Sequence, residues 1–292
     1  MESKSKSKSE GYINEIIIVL GVLIAGAALQ LVSGSFDIKI VAAPVNLIFI
    51  LIFLVMSAMK PTSLVGKFGT LSMSIILILV LTILSILIGL IPGNSIKSSW
   101  PFALTYLMLM SNLSLVIGGR MRKVKLKDFG FMLNHIGLFM LFFAAGFGSA
   151  DSGKYFMRVY EGEVELRGKS SGSGEIINLP CAIKLKDFKM EEYPPNDSNY
   201  IVMMNPQPKS FSSEIEVKTE RGETKTGIVQ VNHPLKVGKW KIYQYSYDTE
   251  AGKDSAFSEF ELVYDPWLIP AYIGIIMLFL GSVTLFWKGG KK

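Results

Sequence analysis

GFMLNHIGLFMLFFAAGFGSA, residues 130–150, is a run of 21 residues without an Asp, Glu, Lys or Arg. A bilayer core takes roughly 20 apolar residues as a helix, so the run reads as a membrane span. Asn134 and His135 stand side by side near its head. Polar side chains in hydrocarbon are costly, about 2.5–3.5 kcal/mol for a charged residue at mid-helix on insertion scales. The basic loop before the run ends at Lys127, with Asp128 after it. Entry near Phe129 therefore puts His135 about six residues in, roughly 9 Å by helical rise. Helical spacing puts Leu138, Phe139, Phe142 and Gly146 on the side of His135, and Gly137, Ala144 and Gly148 opposite. The first set suits a flat apolar cofactor ligated by the imidazole; the second lets another helix approach. The alternative is a neutral histidine hydrogen-bonded to a neighbouring helix, for instance through Asn112 or Asn134.

Five more runs read as spans: 13–33, 42–58, 70–91, 100–118 and 267–287. With half its 292 residues hydrophobic, the chain is too apolar for an ordinary soluble domain. The fold class is a polytopic α-helical membrane protein with six spans. The second span is the shortest, and Pro44 marks its first turn. Small residues at 25–28 resemble a signal-peptide cleavage site, but the apolar run continues to Val32, so an uncleaved helix is expected.

The net charge of +6 is unevenly spread. Segment 151–265 holds 15 Lys/Arg against 19 Asp/Glu, and the remainder 15 against 5. Lys4, Lys6, Lys8, Lys60, Lys67, Arg120, Arg122, Lys123, Lys125, Lys127, Lys288, Lys291 and Lys292 fall on one side of the spans; the short loops opposite carry only Lys39 and Lys97. The positive-inside rule places both termini in the cytoplasm and 151–265 outside. This charge reads as topology, with no nucleic-acid partner. The expected domains are a tail (1–12), a five-helix region (13–150), an outer domain (151–265), and a last span with its tail (266–292). Trp100, Trp267 and Trp287 read as interfacial anchors.

The outer domain reads as all-β. Apolar and polar residues alternate in EVELRG, CAIKLKDF, SEIEVKT, KWKIYQYSYD and SEFELVYD, with turn signals at 170–174, 194–196, 221–222 and Gly252. About seven short strands suggest a small sandwich or open barrel. KWKIYQYSYD is expected to lie centrally, with Trp240 and Ile242 on one face and Tyr243, Tyr245 and Tyr247 on the other.

Catalytic constellations are scarce. There is no Walker-type loop, GxSxG or HExxH, and no histidine pair at metal spacing. Glu163/Glu165 and Glu214/Glu216 read as solvated strand faces, and Glu191–Glu192 as a strand end. His233, before Pro234, is expected to be extended and structural or exposed. Cys181, the single cysteine, excludes an intramolecular disulfide and reads as a small buried hydrophobe.

Five stretches in order, SSWPFALTYLMLMSNL, LNHIGLFMLFFAAGFGSAD, LPCAIKLKDFKMEEYPP, VNHPLKVGKWKIYQYSYD and FELVYDPWLIPAYIGI, resemble the ResB/CcsB family of system II cytochrome c biogenesis proteins, especially its Bacteroidota-type members. The resemblance spans roughly residues 70–287. It implies a haem-handling subunit of a cytochrome c synthase in a bacterial cytoplasmic membrane, not catalytic alone. The first two spans would be additional to the family's four. It implies haem b shared with a CcsA/ResC-type membrane partner, His135 as axial ligand to the haem iron, and apocytochrome c as the client. The tryptophan-rich motif of the partner is absent, and thiol–disulfide reduction must come from other proteins. The outer domain is shorter than in many members, and no ligand role carries to His233. The alternatives are a scaffold that binds no haem and an unrelated membrane sensor.

Overall fold

A computed structural model describes residues 2–60, 68–93, 96–122, 128–193 and 208–289. The expected turn at 194–196 and the cations Lys67, Lys123, Lys125, Lys127, Lys291 and Lys292 lie outside them. The chain divides into two compact units: Met1–Asp151 with Trp267–Lys292, and Ser152–Pro266.

The first unit is helical: α1 Glu2–Ser33, α2 Val45–Ala58, α3 Leu71–Leu90, α4 Trp100–Met121, α5 Phe129–Ala145 and α6 Leu268–Gly289. The Lys/Ser-rich head, expected as a solvated tail, continues α1 as helix. Side-chain caps start two of the helices. Thr70 Oγ1 accepts from the Met73 N–H at 3.2 Å, and Ser99 Oγ from that of Phe102 at 3.3 Å, satisfying donors that the first turn leaves open.

Among the described residues, five helical segments are long and apolar enough to cross a membrane: Tyr12–Ser33, Leu71–Leu90, Trp100–Met121, Phe129–Asp151 and Leu268–Trp287. The run expected as a sixth span forms only the 14-residue α2, roughly 21 Å by helical rise. The difference has a local cause. A 3-10 turn, Ile38–Val41, and the N-cap Pro44 delay the start of α2. Arg122 closes its end, donating to the carbonyls of Ser57 (3.0 Å) and Met59 (2.8 Å).

Among its described residues, the second unit has eight strands: β1 Gly153–Tyr160, β2 Val164–Ser170, β3 Ile176–Glu192, β4 Pro208–Thr219, β5 Thr224–Gln230, β6 Leu235–Val237, β7 Trp240–Tyr247 and β8 Phe257–Tyr264. They form one antiparallel sheet in the order β5-β4-β3-β2-β1-β8-β7-β6. Its two edge strands are consecutive in the chain, linked by a turn in which Gln230 and His233 exchange backbone hydrogen bonds of 3.1 and 3.3 Å. A Cβ on Gly227 of β5 would lie 2.6 Å from Leu235 Cδ1 of β6. The sheet thus nearly closes around Met157, Ile183, Leu185, Ile215, Val217, Val229, Ile242, Phe260 and Leu262. Each such side chain contributes about 1.5–3 kcal/mol on burial.

β7, expected centrally, is the penultimate strand, covered on one side only by the three-residue β6. Ile242 faces inward and Tyr245 outward, as alternation requires. A bulge between Gln244 and Ser246 then breaks the alternation. Beyond it, Tyr247 packs on Phe188 and Phe211, with ring centroids 5.3 and 4.8 Å away.

Candidate functional site

α5 divides its faces between packing and a cleft. On the packing face, Gly130 and Gly137 meet Gly274, Gly281 and Thr284 of α6. A Cβ on Gly137 would lie 2.7 Å from the Gly274 carbonyl oxygen, and one on Gly274 would lie 2.7 Å from that of Gly137. The small-residue face read from the sequence therefore receives a helix. Farther along, Gly146 lies against the Tyr106 ring and Gly148 against Trp267.

The other face carries His135, half-buried. Its Nδ1 lies 2.9 Å from the Phe131 carbonyl oxygen one turn earlier. Its ring stacks on that of Phe131 with centroids 3.7 Å apart. A backbone carbonyl can only accept, so Nδ1 carries the proton and Nε2 is the tautomer's free lone pair. Among the described residues no hydrogen-bond partner for Nε2 is found.

His135 lines a cleft of about 600 Å³ between α3, α4 and α5, with Leu71, Ile75, Ile78, Leu109, Leu113 and Phe142 among its apolar walls. Its volume falls within the range of small-molecule sites, though Leu71, Ile75 and Ile78 along one side are exposed. Of the expected neighbours, Leu138 and Phe142 share the cleft. Phe139 turns away to pack with Phe53 and Phe143, and Gly146 is sealed under Tyr106. The partners considered for a bonded histidine are engaged elsewhere. Asn112 donates to the Phe68 carbonyl (2.5 Å) and accepts from Ser74 (2.7 Å), while Asn134 accepts from Ser282 (3.3 Å).

Sequence reasoning missed three features of this unit. Arg120 lines the cleft, its guanidinium 5.2 Å from the centroid of Phe131. Glu15 of α1 is buried; its Oε1 accepts from Thr70 Oγ1 at 2.5 Å, and its Oε2 has no partner among the described residues. Asp151 accepts from the Ala43 N–H (2.7 Å), Asn46 Nδ2 (2.7 Å) and Trp267 Nε1 (2.6 Å), tying α2 and the start of α6 to the end of α5. Trp267, expected as an interfacial anchor, is thus held by a side-chain bond. Glu15 and Asp151 each stood alone in the sequence, with no spacing to mark them; Arg120 was hidden among five loop cations.

Among the described residues, the outer domain holds no comparable site. Cys181 is buried, and burial, with the nearby Glu220 charge, pushes its thiol up to about 11. An uncharged, inaccessible thiol is inert. Glu165 is ion-paired to Arg167 at 2.8 Å, and that bond above all lowers its carboxyl to about 2. Glu216 pairs with Lys186, and Glu191 with Lys209, both at 3.2 Å. His233 is exposed in the β5–β6 turn. No group of three or more His, Cys, Asp or Glu able to hold a metal ion occurs among the described residues.

Residues 121–258 match the sequence model of the ResB-like family. The matched segment holds three of the five stretches that carried the resemblance, including the one with His135, and is narrower than the 70–287 expected. No curated protein matches the chain. Among solved structures, a cytochrome c haem lyase, CcmF, is similar at 13% identity and a TM-score of 0.40, over 83% of this chain and 39% of that one. The chain therefore spans well under half the length of that protein.

Proposed function

We propose that this protein is the haem-handling subunit of a cytochrome c synthase complex. It would bind haem b together with a CcsA/ResC-type membrane subunit and help present it to apocytochrome c outside the membrane. The observation that carries this reading is the set of His135: Nδ1 tied to the Phe131 carbonyl, Nε2 without a described partner, and an apolar cleft alongside. Haem, if bound, would supply an iron able to take a neutral imidazole nitrogen, and His135 would be the residue holding it. The carbonyl bond fixes the tautomer that such ligation needs. That partner lies on α5 itself, one turn before His135. The family match over 121–258, which includes His135, supports the same reading.

Under this proposal the short α2 joins the five long helices as a sixth span. Both termini lie on the cytoplasmic side of the bacterial inner membrane, with 151–265 outside, as the distribution of flanking cations directs. Reductant for the cytochrome thiols comes from separate proteins, since the one cysteine here is buried.

The test is His135→Ala in the chain co-purified with its partner subunit. The substitution adds neither charge nor bulk, so the protein level should stay near normal while the haem spectrum is lost or altered. Added imidazole should partly restore it. Unchanged haem content, spectrum and cytochrome maturation would leave a scaffold that binds no haem.

A further inference from the structure

The two arginines that follow Gly119 do different work. Arg122 is occupied with the C-terminal carbonyls of α2. Arg120 turns to the cleft, where its guanidinium lies over Phe131, and Phe131 in turn stacks on His135. It is the only Asp, Glu, Lys or Arg among the described residues lining the cleft. An apolar cleft with a guanidinium at one edge suits an amphipathic ligand, apolar in its body and carrying a hydrogen-bond acceptor at one edge.

The guanidinium is already held for such a task. Asp128, with its side chain 5% exposed, fixes Nη2 at 2.5 Å, while the Arg120 side chain is 49% exposed. Among the described residues no other hydrogen bond occupies the fork. Five N–H donors in a plane match a carboxylate in bidentate fashion, which a lysine cannot reproduce. We infer that Arg120 is the carboxylate-recognition residue of this cleft, taking a propionate of the haem whose iron His135 ligates. The inference rests on the haem reading above and adds to it the polar edge by which the ligand is oriented.

The experiment titrates the complex of the full chain and its partner subunit with haem b and with haem b dimethyl ester, in which the propionates are masked. Arg120→Gln should weaken haem b by about tenfold, the scale of one charge-assisted hydrogen bond. It should leave the ester's affinity and the axial-ligand spectrum unchanged. Arg120→Lys, which keeps charge but not the fork, should fall between. Equal weakening of both probes, or of neither, would overturn the inference while leaving His135-dependent binding, and so the reading it rests on, intact. Failure of the unaltered complex to bind either probe would overturn both.

Discussion

Replacing Gly137 with alanine tests whether the α5–α6 contact sets the position of His135. The added Cβ would sit 2.7 Å from the Gly274 carbonyl oxygen, 2.9 Å from Met277 Cβ and 3.0 Å from the Leu278 nitrogen. Two of these are backbone atoms, so no side-chain rotation relieves them. Regaining van der Waals contact, which starts near 3.4 Å, moves the helices apart by about 0.7 Å. A gap of that size forfeits a quarter to a half of each neighbouring dispersion contact. Overpacking of this kind costs about 1–3 kcal/mol. Unfolding of the purified chain in mixed detergent micelles should show that loss. Gly89→Ala in α3 is the matched control: its Cβ would meet nothing within 4 Å, and it should be neutral. Because Gly137 lies two residues from His135 on the opposite face, the same variant should, under the proposed haem reading, weaken haem retention without touching the cleft. Equal stability of the Gly137 and Gly89 variants would refute the packing argument.

Asp151→Ala should destabilise the helical unit by about 3 kcal/mol, since fully buried Asn46 and the Trp267 indole lose their acceptor together. The same micelle unfolding measures it, and a loss below that of an exposed Asp→Ala control would count against the joint. In the outer domain, Glu165 has its carboxyl lowered from 4.5 to about 2. Its stabilising effect is therefore present above pH 4.5 and lost as pH falls from there towards 2; at this partly exposed site it is worth under ~1 kcal/mol. Cys181, buried and the single thiol, reports opening of the sheet. Its labelling by an acid-active disulfide reagent should rise less steeply between pH 4.5 and 2 in Glu165→Gln than in the unaltered chain, and identical slopes would remove the ion pair from the account.

What was legible followed from period and length. Continuous apolar runs marked five membrane-length helices, because in hydrocarbon the backbone must satisfy itself. Alternation marked the strands, because one sheet face is buried. Strand order was not legible: β1 pairs with β8 across a hundred residues, and nothing local in GKYFMRVY specifies that partner. Nor was the shortness of α2, since hydropathy continues through residues 42–44 while the backbone there is turn. His135 stood out by its depth in an apolar run. Its hydrogen-bond partner did not, because a main-chain carbonyl carries no signature in a sequence.

Arg120 shows how one signal can mask another. Five cations in eight residues, 120–127, read together as a topological marker, and the count treats them as equivalent. The structure separates the first two by what each can reach. Gly118 lets the backbone of α4 come against Ser57 at the end of α2, where a Cβ would overlap main-chain atoms. That approach brings Arg122 to the carbonyls it caps. Two residues earlier on a helix is about 200° around the axis, which sends Arg120 to the opposite side, towards α5. There Asp128, at the head of α5, fixes it, and Phe131 carries the contact on to His135. The same glycine contact thus gives one arginine a capping task and leaves the other at the cleft.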